Sequence, residues 1–310
     1  HQNPSYSPES INSFALYSGA GWAVGNFGMI LRTSNSGITF QSQTSQTTSN
    51  IRGQSIVNTQ VGYIFDDSSR VFRTINGGSN WSLKSTISSK INCLHFLDIN
   101  SGFAALANGI GVTSNGGESW NIINPDNSAS YVYYSIFFPD ENTGYISARN
   151  LVTDYAYMFK TTNAGVNWNW YNTGIDAFDI SNIYFSDSMT GWCTGERFSN
   201  LYTMKTSKGG VNWFETNIPL ISTIPNNIYF SDSSVGYITT NNKILKSYNG
   251  GFDWFVFREL NSVNSSYFSS ASEYYLVDSY SRVLKTSNVG STFDTLLGKH
   301  NYTSNRIQSI

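Results

Sequence analysis

Short runs in which apolar and polar residues alternate recur along this chain, always in the same order. Ile91–Asp98 (INCLHFLD), Tyr134–Asp140 (YSIFFPD), Ser181–Asp187 (SNIYFSD) and Asn226–Asp232 (NNIYFSD) share one pattern. A Gly-aromatic step follows each, and the full set is Gly21-Trp22, Gly62-Tyr63, Gly102-Phe103, Gly144-Tyr145, Gly191-Trp192 and Gly236-Tyr237. A third short run, such as Met29-Ile30-Leu31-Arg32, Ile244-Leu245-Lys246 or Val283-Leu284-Lys285, leads into a turn. Period-two stretches of this length, bounded by Gly, Asn, Ser and Asp clusters, predict β-strands. No stretch carries a 3.6-residue apolar period, so helix is expected to be nearly absent.

The turn after the third run is an eight-residue box: Thr or Ser, any residue, usually Asn, any residue, Gly, two residues, then Trp or Phe. Its copies are Thr33–Phe40, Thr74–Trp81, Thr113–Trp120, Thr161–Trp168, Thr206–Trp213, Ser247–Trp254 and Thr286–Phe293, whose starts lie 39 to 48 residues apart. A fixed period near forty residues means one supersecondary unit repeated, each copy unable to bury its apolar face alone. Four strands, a to d, fit each unit, with the box as the c–d corner. Seven antiparallel four-stranded units predict an all-β, seven-bladed β-propeller, because radial closure hides the edges that an open sheet would expose. One domain spans 1–310, with approximate blades at 11–49, 50–88, 89–128, 129–177, 178–221, 222–261 and 262–299.

Each box position has a mechanical reason. Gly at the fifth position allows φ > 0. Asn at the third position (Asn35, Asn76, Asn115, Asn163, Asn249, Asn288) can accept hydrogen bonds from turn amides. The closing ring (Phe40, Trp81, Trp120, Trp168, Trp213, Trp254, Phe293) is expected to fold back on its own blade, burying roughly 150–250 Å². The fifth box carries Lys208 in place of Asn, and a lost turn hydrogen bond costs on the order of 1 kcal/mol.

In spacing and wording these boxes resemble the bacterial-neuraminidase, or Asp-box, repeat, with Asn where that name implies Asp. Together with the Gly-aromatic step and the Ile-Leu-Lys/Arg-Thr strand, nearly the whole chain resembles the photosystem II assembly-factor type of Asp-box propeller. That resemblance implies the propeller fold and an exported bacterial protein that binds protein partners; a photosynthetic role does not follow from it.

Composition narrows the class. The chain is 15% aromatic and 12% charged, with a formal net charge of −2. Near neutrality excludes the electrostatic footprint of a nucleic-acid binder and a polybasic membrane anchor. No span approaches 18 apolar residues, so no membrane-crossing segment is expected. Asn, Ser, Thr, Gly and Tyr fill positions where Lys and Glu are usual, as on an exported surface, and the start at His1 suggests a removed signal or a fragment. The expected location is secreted, periplasmic or on the surface of a bacterium. Cys93 and Cys193 fall at non-equivalent positions two blades apart and are read as two buried free thiols.

Two terminal pieces are left over. They are residues 1–10, where His1–Pro4 resemble material that follows a box, and 300–310, where Ser304–Ile310 resemble strand a. Three readings stay open: closure of the ring by a terminal strand, continuation of the natural chain beyond Ile310, and strand exchange with a second copy.

Chemistry is sparse. His1, His95 and His300 do not sit at ligand spacing with one another or with Cys, so no metal and no cofactor are expected. A sialidase would need an arginine cluster and an Arg-Ile-Pro signature; the signature is missing, and Arg32 and Arg73 belong to strand c. Asp66-Asp67 read as a turn rather than a catalytic carboxylate pair, and Asp98, Asp140, Asp187 and Asp232 as caps of the a–b turns. Extra length falls in blades 4 and 5, in the d–a segment Asn124–Tyr133 and in b–c loops at Ala148–Tyr157 and Gly195–Tyr202. Loop-borne function is expected there, on Arg149, Asp154, Tyr155, Glu196 and Arg197. The leading expectation is a non-enzymatic platform for another protein or a cell-surface component. The alternatives are a carbohydrate-binding or glycoside-hydrolase-like propeller, and a structural subunit of a surface layer that self-associates through its terminal strands.

Overall fold

The computed structural model describes residues 10–125, 130–176 and 178–297. Seven four-stranded antiparallel sheets stand around one axis, each from consecutive strands. Blade 1 comprises β1 (Ile11–Tyr17), β2 (Ala20–Gly25), β3 (Ile30–Thr33) and β4 (Gln41–Gln43). Blade 2 holds β5 (Ile51–Ile56), β6 (Gly62–Asp66), β7 (Arg70–Thr74) and β8 (Ser82–Thr86). Next come β9 (Ile91–Phe96), β10 (Gly102–Leu106), β11 (Gly109–Thr113) and β12 (Asn121–Ile123) in blade 3. Blade 4 has β13 (Tyr131–Phe137), β14 (Gly144–Asn150), β15 (Tyr155–Thr161) and β16 (Asn169–Asp176). In blade 5 are β17 (Phe178–Phe185), β18 (Gly191–Arg197), β19 (Asn200–Thr206) and β20 (Phe214–Glu215). Blade 6 contains β21 (Pro225–Phe230), β22 (Gly236–Thr240), β23 (Lys243–Ser247) and β24 (Phe255–Glu259), and blade 7 β25 (Val263–Phe268), β26 (Tyr274–Asp278), β27 (Val283–Thr286) and β28 (Asp294–Leu297). Helix is confined, among the described residues, to a single 3-10 turn at Asn26–Gly28.

The inner strand of each blade touches that of the next, and β25 touches β1, so the ring is closed. Asn side chains at a repeated bulge of strand a cross the seams. Asn12, Asn92, Asn226 and Asn264 donate to the carbonyls of Ile51, Tyr133, Val263 and Ile11 at 2.9, 2.7, 3.0 and 3.1 Å. Closure between blades 7 and 1 thus uses the same bond as the seams that follow blades 1, 3 and 6. The terminal segments expected to act as clasps lie outside the described residues.

The boxes fold as their sequence demands. The leading Thr or Ser oxygen accepts from the Gly N–H at 2.8–3.1 Å in all seven. Each Asn Oδ1 accepts the seventh residue's N–H at 2.9–3.0 Å, a contact for which Lys208 has no oxygen. Two consecutive residues, the fourth and fifth, have positive φ, as with Gly250 (70°) and Gly251 (80°). The a–b turns are capped by Asp98, Asp140, Asp187 and Asp232, each accepting two backbone N–H groups at 2.6–2.8 Å. Burial works against ionisation at the first three, but the paired amides outweigh it and hold all four carboxyls below their ordinary range.

The closing rings do more than pack on their own blade. Trp120, Trp213 and Trp254 do meet Phe96, Phe185 and Phe230 of their own strand a edge-on, at 5.7–5.9 Å. Trp81, however, rests on Trp22 of the preceding blade (5.6 Å), and Trp168 on Phe103 of the preceding blade as well as its own Phe138. The ring of the Gly-aromatic step lies flat on the next blade's strand-a ring: Tyr63 on Phe96 at 3.4 Å, Tyr145 on Phe185 at 3.7 Å, Trp192 on Phe230 at 3.5 Å. Glycine precedes it because a Cβ at Gly102, Gly144, Gly191 or Gly236 would come within 2.4–2.6 Å of the strand-a Phe of its own blade.

Polar tips then grip the box of the following blade. Tyr145 Oη and Lys160 Nζ donate to Gly209 O (3.3 and 2.7 Å), Trp192 Nε1 to Gly250 O (3.0 Å), and Tyr275 Oη to Ser36 O across the closing seam (3.1 Å). Gln43, which accepts from Trp22 Nε1, donates to Gly77 O at 2.9 Å. The fourth box position is therefore committed to a left-handed backbone, yet in blade 7 it is Val289 (φ 62°). A β-branched residue is strained there by about 1–3 kcal/mol. Val289→Gly is expected to raise stability by about 1 kcal/mol in urea melts, after the added backbone freedom of the unfolded glycine is deducted; an unchanged or lower midpoint would show that Val289 is relaxed.

Candidate functional site

The long repeats of blades 4 and 5 do not form loose loops, as their sequence suggested. Their b and c strands run for seven residues, against five in blades 2, 3 and 6. At ~3.3 Å per residue the two hairpins stand about 7 Å higher than their neighbours, on the face opposite the boxes. Only Leu151–Asp154 and Phe198-Ser199 remain as turns. Asn150 Oδ1 organises the first by accepting from the Val152 and Thr153 amides at 2.9 and 3.0 Å. Phe198 (φ 50°) and Ser199 (φ 63°) make the second a two-residue turn whose twist matches its strands. Both tips are apolar and exposed, at Leu151, Val152 and Phe198.

Below the tips, the charges expected from sequence are partly assembled. Arg149 Nε donates to Asp154 Oδ1 at 2.7 Å, and its Nη1 reaches across the seam to Asp179 Oδ1 of blade 5 at 3.1 Å. Tyr134 hydrogen-bonds Asp179; burial first, and that carboxylate second, push its phenol well above the ordinary tyrosine range. Arg197 returns the link: it donates to the Asp176 carbonyl at 3.1 Å and to the Asp176 carboxylate of blade 4, with Glu215 at 3.8 Å. Its guanidinium lies over the Phe198 and Tyr202 rings at 5.2 and 5.4 Å. Glu196 stands opposite Asp179 across β17 and β18 and makes no ion pair among the described residues; Tyr155 faces Asp176 across β15 and β16. Two reciprocal ion pairs thus tie the tall hairpins together.

Beside Arg197 a cleft of about 540 Å³ opens along the outer side of blade 5, lined by Tyr202, Glu215, Asn217, Ile218 and Leu220. There β20 is only two residues long, and Asn217 just beyond it leaves the blade to bridge Asp253 of blade 6. The Tyr202 hydroxyl is buried without a hydrogen-bond partner among the described residues. A second hollow of about 420 Å³ lies between blades 2 and 3 near Arg52, Asp67 and Lys90. Asp66 is not part of a catalytic pair: it is buried and bound to Arg70 at 2.7 Å, while Asp67 meets Arg52 at 3.5 Å.

Sequence reasoning missed Tyr134, Asp176, Asp179 and Glu215. One signal could have found Tyr134: the strand-a bulge is Asn in blades 1, 3, 6 and 7 but Arg52, Tyr134 and Ser181 in the others. Among the described residues no group of three or more His, Cys, Asp or Glu could hold a metal, and no helix is long and apolar enough to cross a membrane. Cys93 and Cys193 are unpaired, and burial raises both thiols. What the rim offers is hydrogen-bonding groups and apolar tips, suited to recognition.

No protein-family model matches this chain, and no curated protein matches it in sequence. Its fold is shared with solved structures. A structure described as YCF48 bound to D1 peptide aligns with TM-score 0.69 and 15% identity over 90% of this chain and 93% of that one. YCF48 from Cyanidioschyzon merolae gives 0.71 and 15% over 93% and 98%. An ancestral GH74 enzyme gives 0.59 and 16% over 76% of this chain but 35% of its own. At such identities the likeness establishes the seven-bladed propeller and nothing finer.

Because Arg149 and Asp179 are both partly exposed, their pairing is expected to be modest. A double-mutant cycle with Arg149→Met and Asp179→Asn should give a coupling below about 1 kcal/mol in urea melts; a value above ~3 kcal/mol would place the pair in a dry interface.

Proposed function

We propose that this chain is a non-enzymatic binding platform for another protein, exported from a bacterial cell, which takes its partner over the raised rim of blades 4 and 5. The carrying observation is the departure from seven-fold regularity: two tall hairpins with apolar tips, cross-tied by Arg149–Asp179 and Arg197–Asp176, stand over an otherwise even ring. Rigid support beneath exposed apolar groups lowers the ordering cost of association. The likeness to a propeller described as bound to a peptide supports this reading, as does the resemblance of the boxes to the Asp-box assembly-factor type. The low charge and the Asn/Ser/Thr-rich surface support export.

A glycan is the second reading, favoured by Phe198 and Tyr202 beside Glu215 in the blade 5 cleft and by the GH74 likeness. Photo-crosslinking separates the two. With a photoreactive phenylalanine at Phe198 or Val152, the full chain in its source cells should yield a discrete protein adduct. The same probe at Ile38, exposed on the box face, should not. Equal adducts at all three sites, or glycan-array binding abolished by Phe198→Ala and Glu215→Gln, would overturn the protein-partner reading.

A further inference from the structure

The charges on the face opposite the boxes are unevenly spread. Around blades 2, 6 and 7 they pair one to one: Arg52 with Asp67, Arg70 with Asp66, Lys243 with Glu259 and Arg282 with Asp278. On the raised rim of blades 4 and 5 two guanidinium groups, Arg149 and Arg197, stand among five carboxylates, Asp154, Asp176, Asp179, Glu196 and Glu215. Three negative charges are therefore in surplus there, while the whole chain carries −2. The side chains of Asp154, Asp176, Asp179 and Glu215 are 41–57% exposed, so a partner can reach them. Among the described residues no group of acids converges closely enough to hold a metal, so the rim presents a negative field rather than a ligand set.

Part of that surplus opposes the fold. Glu196 and Asp179 are direct partners across β17 and β18, where like charges weaken a ladder. Arg197 is committed to Asp176 of blade 4, through Nε to its carbonyl at 3.1 Å and Nη2 to its carboxylate, and Glu215 keeps only a 3.8 Å contact. Apolar groups sit among these charges. Leu151, Val152 and Phe198 crown the hairpins, and Leu201, Ile218 and the exposed Leu220 wall the blade 5 cleft, in which Glu215 is the one carboxylate. An aliphatic stem ending in a cation suits such a cleft.

We propose that the protein taken over this rim presents a basic segment, in which lysine or arginine is interspersed with aliphatic residues. One basic side chain lays its stem along Leu201, Ile218 and Leu220 with its cation at Glu215. Its neighbours in the segment meet Glu196 and Asp154, and the aliphatic residues cover Val152 and Phe198. The surplus of three negative charges selects the sign of the partner and speeds its approach. This inference rests on the rim being a protein-binding surface and adds the partner's charge. A second copy of this chain fits poorly, since rim against rim would oppose the same carboxylates.

The test is calorimetry on the full chain with the capped pentapeptide lysine-leucine-lysine-leucine-lysine and its glutamine and glutamate counterparts. The lysine peptide is expected to bind with Kd of roughly 50 μM–1 mM, about tenfold or more tighter than the glutamine peptide, with no binding of the glutamate peptide. Raising salt from about 50 to about 300 mM should weaken it about fivefold. Glu196→Gln combined with Glu215→Gln should weaken it about tenfold while melting stays level or rises, because the opposed pair on the ladder is relieved. Equal binding of the lysine and glutamine peptides, both lost with Phe198→Ala, would overturn the basic partner and leave the rim as a platform. Absence of binding, or indifference to the double substitution, would overturn the proposal, with the photo-crosslinks at Phe198 and Val152 judging the rim itself. A concentration-dependent dimer abolished by Phe198→Ala would overturn it as well, by assigning the surface to a second copy.

Discussion

The structure depends on one repeated grip: in four of the seven boxes the fourth-position carbonyl is held by the blade before it. A left-handed pair of residues turns that carbonyl outward, and a Tyr, Trp or Gln from the preceding blade donates to it, as Tyr145 does to Gly209 and Tyr275 to Ser36. A cation on strand c sits across from the same ring, with Arg32 over Trp22, Lys160 over Tyr145, Lys205 over Trp192, Lys246 over Tyr237 and Lys285 over Tyr275 at 5.0–5.5 Å. One hydrogen bond of this kind is worth about 1 kcal/mol and a ring pair a similar amount. The hydrogen bond is made at four of the seven seams among the described residues, and together with the ring pairs it sets the angle between neighbouring blades. The grip also makes the Gly-aromatic step and the box two halves of one joint rather than two independent motifs.

The joint between blades 3 and 4 is built differently. Its step ring is Phe103, which has no polar tip, and the residue opposite on strand c is Val112. Phe103 instead stacks on Phe138 at 4.8 Å, with Trp168 and His95 closing around them. Burial lowers the His95 imidazole to about 4, consistent with its neutral place in that apolar seam. Apolar contact takes over there from polar grip, next to the sector where the hairpins rise.

Fold was legible in the chain because every blade repeats the same physical problem. Gly at box position five, Asn at position three and alternating strands each state a local requirement, and seven copies of them imply closure. The aromatic partnerships were less legible, since spacing along one repeat cannot show that Trp81 leans on Trp22 of another. The rim was half legible. Surplus length marked blades 4 and 5, but its form as strand rather than loop depends on pairing between Arg149 and Ala156, or Arg197 and Asn200, which composition does not reveal. Asp176 and Asp179 escaped notice because their partners lie on a neighbouring blade.

The account's central claim is that the closing seam is held as the interior ones are, by blade 7 gripping the first box. Native-state hydrogen exchange measures this directly through the box glycine amides, each bonded to its Thr or Ser oxygen. Gly37, whose box is gripped by Tyr275, should be protected to within about tenfold (~1.4 kcal/mol) of Gly210, whose box is gripped by Tyr145. If Gly37 exchanged hundreds of times faster while Gly210 stayed protected, the ring would be opening at that seam and the account would be wrong.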